Sequence, residues 1–173
     1  MAAAAHDSGG LRACPTWLIV GLARVGPFGR FRPGPGTWGT AVGLAYFYFA
    51  FSTASTLVLA AGSAAAALFA VAICGEAEKR LGRTDPGEII LDELVAVPFC
   101  FLGWSEFLRV APAWAVLLAG FALFRLFDIA KPFGIRSLQH LPGGWGVVAD
   151  DIVAALYANL VLHAAYHLWR VLG

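Results

Sequence analysis

From Ala41 to Cys74 the chain carries no charged side chain at all. An α-helix rises about 1.5 Å per residue, so about 20 apolar residues cross the hydrocarbon core of a bilayer. This run suits one tilted span or two short ones, with Ser52, Thr53 and Ser55, or Gly62 and Ser63, as places to turn. Composition points the same way: 60% of residues are hydrophobic and 13% charged, whereas a soluble domain has about 25% charged residues. The 173 residues suffice for one compact domain. The chain is therefore expected to be all-α, a polytopic membrane helical bundle with four to five membrane-embedded helices. Residues 1–25 are read as an N-terminal tail and short interfacial helix, and 26–173 as the membrane domain.

Along the chain, Met1–Cys14 reads as a frayed tail. Met1–Thr16 lacks a basic stretch followed by an apolar one, so no cleavable signal peptide is expected. Trp17–Val25 suits a short interfacial helix. Gly26–Gly39 is loop by composition, with Thr37 or Thr40 as the N-cap of the next helix. Gly75–Arg83, which holds Glu76, Glu78, Lys79, Arg80 and Arg83, reads as solvated. Ile89–Trp104 and Val110–Phe124 are further apolar segments, and Pro132 closes the second. Phe133–Gly146 is a second loop, and Val147–Leu172 a last helix opened by Asp150 and Asp151. Cys14, Cys74 and Cys100 are an odd count without metal-site spacing and read as small apolar residues.

The basic residues set an expected topology. Ten of the twelve lie in Arg12–Arg32, Lys79–Arg83 and Arg125–Arg136, leaving Arg109 and Arg170. The positive-inside rule puts those three segments in the cytoplasm and gives five short crossings with the N-terminus inside. The net charge of +1 offers no field for nucleic acid, and no obligate protein partner is indicated.

That topology gathers seven of the eleven acids at the cytoplasmic boundary: Asp85, Glu88, Asp92, Glu93, Asp128, Asp150 and Asp151. Acids near hydrocarbon pair, bind cations or do chemistry. Asp85-Pro86-Gly87-Glu88 reads as a capping box at a helix start, with Glu88 and Asp92 one turn apart on one face. Arg125, Asp128 and Lys131 follow at helical spacing, as a helix-end salt bridge or a phosphate clamp. Asp150 and Asp151 suit a helix N-terminus, and adjacent helical residues point about 100° apart, so one of the two is expected to face a shared site. Oxygen ligands suit Mg²⁺ better than zinc. Carboxylates, a glycine-rich loop and a few cations are what phosphoryl chemistry requires. Cys74 and Arg80 have the spacing of a cysteine phosphatase, but Glu76 and Glu78 between them would repel a phosphate. The loop Gly34–Thr40 lacks the lysine of a nucleotide P-loop.

Four stretches in order, Pro35-Gly-Thr-Trp-Gly-Thr40, Asp85–Glu93, Phe124-Arg-Leu-Phe-Asp-Ile-Ala-Lys-Pro132 and Gly143-Gly-Trp-Gly-Val-Val-Ala-Asp-Asp151, resemble the phosphatidylglycerophosphatase A family. The resemblance implies an Mg²⁺-dependent phosphatase of the bacterial inner (cytoplasmic) membrane. Its site would face the cytosol, and it would remove the terminal phosphate of phosphatidylglycerol phosphate to give phosphatidylglycerol. The family's acidic positions fall on Asp85, Asp92, Glu93, Asp128, Asp150 and Asp151. Asp92, Glu93, Asp128 and Asp151 are the residues expected at the chemistry. The expected metal ligands are Asp85, Glu88, Asp92, Glu93, Asp150 and Asp151, with Glu88 and also Asp128 of second rank. Arg125 and Lys131, with Thr37 and Thr40, would hold phosphate oxygens. Ala96, Gly134 and Ala155 depart from the family pattern at packing positions. Another phospholipid monoester as substrate, or a small transporter using the carboxylates as an ion site, are the alternatives.

Overall fold

The computed structural model describes residues 9–172. The expected tail falls largely on residues 1–8, outside the described residues, as does half of the stretch read for a leader. Among the described residues all regular structure is helical. The elements are α1 (Gly9–Arg12), α2 (Thr16–Ala23), α3 (Pro35–Phe51), α4 (Thr56–Leu81), α5 (Leu91–Ala96), α6 (Trp104–Phe107), α7 (Ala113–Ala130), α8 (Ile135–Leu138) and α9 (Gly144–Leu172). Short 3-10 turns cover Phe28–Arg30 and Val97–Phe101. Helices α4, α7 and α9 are long and apolar enough to cross a membrane, and α3, at 17 residues, falls just short of that length. The chain is an all-α membrane helical protein.

The charge-free run turns at the first of its two expected places. Ser52–Ser55 separates α3 from α4, and the Ser55 hydroxyl accepts the Val58 N–H at 3.3 Å as an N-cap. Gly62 and Ser63 instead lie inside α4, where the Ser63 hydroxyl donates to the Leu59 carbonyl at 2.7 Å. Helix α3 starts earlier than its glycines and prolines suggest. Pro35 occupies its first turn and Gly34, at φ 74°, precedes it. Proline is preset for that position and a left-handed glycine can deliver the chain to it. Neither Thr37 nor Thr40 is the N-cap.

The segment read as solvated is not a break in the helix. Helix α4 runs to Leu81, and Glu76 within it is buried and paired with Arg80 at 2.9 Å. The Arg80 guanidinium also donates to the Leu11 and Cys14 carbonyls at 2.7 Å each. One arginine thus docks residues 11–14 onto the bundle, and they are not a loose tail. The apolar segment Ile89–Trp104 departs most from expectation, because it is broken into α5, a 3-10 turn and the start of α6. Pro98 supplies no N–H for a continuous helix, and Gly103 turns the chain at φ 83°. A break within hydrocarbon must find new partners for its carbonyls. Asn159 of α9 donates to Cys100 O at 2.9 Å and Leu102 O at 2.8 Å, and His163 Nε2 lies 3.0 Å from Leu102 O.

Two cores result. Phe47, Phe101, Trp104 and Phe107 anchor one at the end remote from the acids, where Phe47 stacks on Phe101 with centroids 4.3 Å apart. Ile19, Ala70, Cys74 and Val148 belong to the other, which joins α2, α4 and α9. Exposed tryptophans mark both ends: Trp38 and Trp145 at the starts of α3 and α9, Trp114 and Trp169 at the other end of α7 and α9. Amphipathic indole rings favour the two membrane–water interfaces.

Helices α4 and α9 cross backbone to backbone. A Cβ on Gly75 would sit 2.6 Å from the Gly144 nitrogen, and one on Gly144 would overlap the Val71 carbonyl. Rigid backbone on both sides leaves nowhere for a methyl to go, so Gly144→Ala is expected to cost about 1–3 kcal/mol. Thermal unfolding in detergent checks this. Gly21→Ala, whose added methyl meets nothing within 4 Å, should leave the midpoint unchanged.

Candidate active site

The start of α5, the end of α7 and the second turn of α9 converge on a cavity of about 180 Å³. Asp85, Asp92, Glu93, Asp128, Asp150 and Asp151 line it with Lys131, Gly87, Ile89 and Val147. Six of the seven gathered acids therefore meet, from parts of the chain up to sixty-six positions apart (85 to 151). Asp92, Asp150 and Asp151 are 6%, 2% and 4% exposed.

The local conformations differ from those the spacing suggests. Helix α5 opens at Leu91, so Asp85–Glu88 is not a capping box. Asp85 sits at φ 46°, in the left-handed region, and its N–H donates to Glu78 Oε1 at 2.6 Å. Lys131 ends α7 at φ 43°. Non-glycine residues held there cost about 1–3 kcal/mol and concentrate at functional sites. Helix α9 opens at Gly144, which removes Asp150 and Asp151 from the first turn and from a capping role. Both face the cavity, not one, because α9 packs against α4, α5 and α7 over a wide arc.

Two cations divide these acids. Arg125 Nη1 lies 2.6 Å from Asp128 Oδ2 and 3.1 Å from Glu93 Oε1. Lys131 Nζ pairs with Asp150 and stands 3.9 Å from Asp128 Oδ1. Burial pulls the Lys131 ammonium down most strongly, but the bond to Asp150 and the charges of Asp150, Asp151 and Asp128 outweigh it, so its pKa is raised. It remains a cation at any working pH. Asp92 Oδ1, Glu93 Oε2 and Asp150 Oδ1 are buried with no hydrogen-bond partner. A buried carboxylate oxygen without a partner is costly and calls for a cation or a proton.

Three expected residues fall elsewhere. Glu88 turns away from the cavity, held by Arg24 at 2.8 Å and by Arg83. The Arg24 hydrogen bond, ahead of the arginine charges, lowers its pKa below the ordinary 4.5. Thr40 is fully buried and its hydroxyl donates to the Gly36 carbonyl at 2.9 Å. Thr37 is exposed, and neither threonine lines the cavity. The α3 glycines matter instead. A Cβ on Gly36 would press on Glu93 Oε1 and approach Arg125 Nη1 to 2.8 Å, and one on Gly39 would overlap Glu93 Oε2 and reach Ile90 Cβ at 2.9 Å. The bare face of α3 lets the Glu93–Arg125 pair lie flat on its backbone. The signal for this was in Pro35–Thr40: glycines three apart share a helical face.

Fold and site together define a helical membrane protein with a buried, acid-lined polar site at one end of its bundle. The family model for phosphatidylglycerophosphatase A matches residues 21–166. The phosphatidylglycerophosphatase A of Haemophilus influenzae is 36% identical over 137 residues, 79% of this chain and 81% of that protein. The Escherichia coli K12 protein of the same name is 31% identical over 141 residues, 78% of this chain and 76% of that one. A Bacteroides thetaiotaomicron protein provisionally named a phosphatidylinositol-3-phosphatase is 39% identical over 85 residues, 47% of this chain and 49% of its own length. No solved structure gives a significant match. The chain belongs to the phosphatidylglycerophosphatase A family, and by that membership it is a phosphatase.

Gly39→Ala is expected to displace Glu93 and lower turnover roughly 10²-fold, since small misplacements at a catalytic centre cost that much; phosphate release per folded enzyme measures it. Glu88→Gln tests the outlying pair. A carboxylate with a lowered pKa adds stability above its ordinary value and loses it as pH falls through the lowered one. The variant should therefore melt below wild type in detergent at neutral pH, with the gap closing on acidification.

Proposed function

We propose that the chain hydrolyses the terminal phosphomonoester of phosphatidylglycerol phosphate to phosphatidylglycerol, with Mg²⁺, at the cytosolic boundary of the bacterial inner membrane. The observation that carries this reading is the convergence of buried carboxylates, three with unpartnered oxygens, on one cavity with Lys131. Family membership supplies the reaction class, and the names of the Haemophilus influenzae and Escherichia coli relatives supply the substrate.

The donor set suits a hard cation. All the unpartnered cavity atoms are carboxylate oxygens, the ligands of Mg²⁺, with no thiolate or imidazole among the lining residues. Among the described residues no three His, Cys, Asp or Glu side chains stand already converged as a metal cage. Mg²⁺ is commonly held by one or two carboxylates, with waters and substrate phosphate completing its shell, so such a cage is not required. Asp92, Glu93 and Asp150, with Asp151 beside them, would hold it. When bound, the ion would neutralise phosphate oxygens and acidify water.

The chain's own groups do the rest. Hydrolysis puts the oxygen of water on phosphorus, breaks the phosphorus–glycerol oxygen bond and leaves a proton on that oxygen. Lys131 and Arg125, fixed by Asp150 and by Asp128 and Glu93, present N–H groups to phosphate oxygens. The burial of Asp92, Asp150 and Asp151 limits water on that side and strengthens these interactions. A site at the bundle's end lets the headgroup enter while both acyl chains stay in the bilayer. The same placement disfavours a transporter, whose ion sites lie near the midplane.

The orientation rests on the basic segments. Arg24, Arg30, Arg32, Arg83, Arg125 and Lys131 all belong to the acid-lined end, and positive charge favours the cytoplasmic side. A second reading, hydrolysis of another phospholipid monoester, is favoured by the name of the Bacteroides thetaiotaomicron relative.

Phosphate release in detergent micelles, with phosphatidylglycerol phosphate and phosphatidylinositol 3-phosphate side by side, decides between the two. Wild type is expected to prefer the first, to lose activity in excess EDTA and to regain it with Mg²⁺. Asp92→Asn and Asp151→Asn should each reduce turnover about a hundredfold or more. Full activity in EDTA would remove the metal, and near-normal turnover of both variants would remove those aspartates from the chemistry.

A further inference from the structure

A second polar cavity, of about 520 Å³, adjoins the acid-lined one. Arg30, Arg32 and Arg83 line it together with Glu88, and Gly87 belongs to the walls of both cavities. The two are thus neighbours across a single residue with no side chain. Their electrostatics are opposite. In the acid-lined cavity the lining cation, Lys131, is committed to Asp150, and Arg125 pairs with Glu93 and Asp128 without lining the cavity itself. In the second, the one carboxylate is already shared by Arg24 and Arg83. Arg30 and Arg32 have no ion-pair partner among the described residues.

The arginine loop is built to stay beside the acid-lined cavity. Gly29 packs so closely on the Glu88 backbone that a Cβ there would overlap the Glu88 carbonyl. The Phe28, Phe31 and Trp38 rings form an edge-to-face chain, with centroids 5.5 and 5.4 Å apart, that ties the loop to the first turn of α3. Phe31 and Trp38 are each about 40% exposed, 41% and 42%, as befits rings at the depth of lipid headgroups. Beside rings suited to that depth, the guanidiniums would lie near lipid phosphates.

We propose that Arg30, Arg32 and Arg83 form a subsite for the phosphodiester of the lipid, the phosphate that is not cleaved. This assignment rests on the reading above. Phosphatidylglycerol phosphate carries two phosphates separated by one glycerol, a diester toward the acyl chains and a monoester at the tip. Adjoining cavities, one with uncommitted guanidiniums and one with carboxylates and Lys131, match that order. Planar guanidinium forks suit a phosphodiester's two free oxygens. The subsite makes the enzyme selective for monoesters that carry a second phosphate one glycerol away.

The test is Arg30→Gln/Arg32→Gln, assayed in mixed micelles of neutral detergent. Both side chains are exposed, so kcat doubles as the control for folding. Losing two charge-assisted contacts should raise KM for phosphatidylglycerol phosphate about tenfold or more, with kcat within about twofold of wild type. Inhibition by phosphatidylglycerol, which carries the diester alone, should weaken by a similar factor. Inhibition by inorganic phosphate, which competes only in the acid-lined cavity, should be unchanged. An unaltered KM overturns the subsite. So does equal weakening of both inhibitors, which would mean that the arginines attract any phosphate, or a kcat that collapses with affinity. If wild type releases phosphate while the variant's KM is unaltered, the subsite alone fails. If wild type releases none from phosphatidylglycerol phosphate, the proposed activity fails and the subsite with it.

Discussion

Carboxylates removed from water need a counter-charge, and most of this bundle's polar design follows from that need. Six acids line one small cavity, and among the described residues Lys131 and Arg125 are the cations that pair with them. Burying an ion costs several kcal/mol even after relaxation, and a pair repays this only with good geometry and further hydrogen bonds. The two cations satisfy part of the set, since each is shared between two acids. The orphaned oxygens of Asp92, Glu93 and Asp150 are the remainder. A purely structural network would be expected to close itself. This one leaves three oxygens open, which suits a place that receives a cation and then a phosphate.

Holding such a group together requires close approach of helices that have little to attract them. Lipid is as apolar as a leucine side chain, so packing in a membrane depends on small residues and on hydrogen bonds between helices. Gly75 and Gly144 bring α4 and α9 into backbone contact, which sets Asp151 against the α5 acids. Gly36 and Gly39 do the same for α3 against Glu93. At the other end, Asn159 and His163 hold the broken segment by its carbonyls. The break matters for the site because it ends α5 after six residues. Asp92 and Glu93 thereby sit on a short piece fixed by α3 on one side and by α9 on the other, and not on a long helix free to slide.

The helical class and most of the acids that gather were legible from the sequence, because charge absence and charge position carry that information directly, while the turn at Ser52–Ser55 was one of two places the residues allowed. Local conformation was less so. Asp85-Pro86-Gly87-Glu88 has every residue type of a capping box, yet its Glu88 is claimed by Arg24, distant in sequence, together with nearby Arg83. Tertiary ion pairs overrode a local preference worth about 1 kcal/mol. Glu76 looked solvated because charged neighbours follow it, and its burial depends on Arg80, whose own partners are backbone carbonyls sixty-six and sixty-nine positions away. Pairing Asp150 with Asp151 on one cavity needed knowledge of how many helices surround α9, which spacing along one helix does not contain. The role of Gly36 and Gly39 was written in their spacing, but the threonines between and beside them drew the attention as hydroxyl donors.

The opposite signs of the two adjoining cavities resolve an electrostatic difficulty. A phosphomonoester carries close to two negative charges at neutral pH, so a cavity lined by six ionised acids would repel it without the metal proposed above. The neighbouring arginines supply attraction that does not depend on the metal, at the depth where lipid phosphates lie. A lipid held there by its diester has its terminal phosphate confined beside the acid-lined cavity, which raises its effective concentration without tighter binding of the reacting group. Binding energy gained at the diester then offsets the electrostatic cost of bringing the monoester in. With the proposed roles, a catalytic pocket rich in acids and a binding pocket rich in arginines, sharing Gly87 as a wall, would let affinity and chemistry be set by different residues.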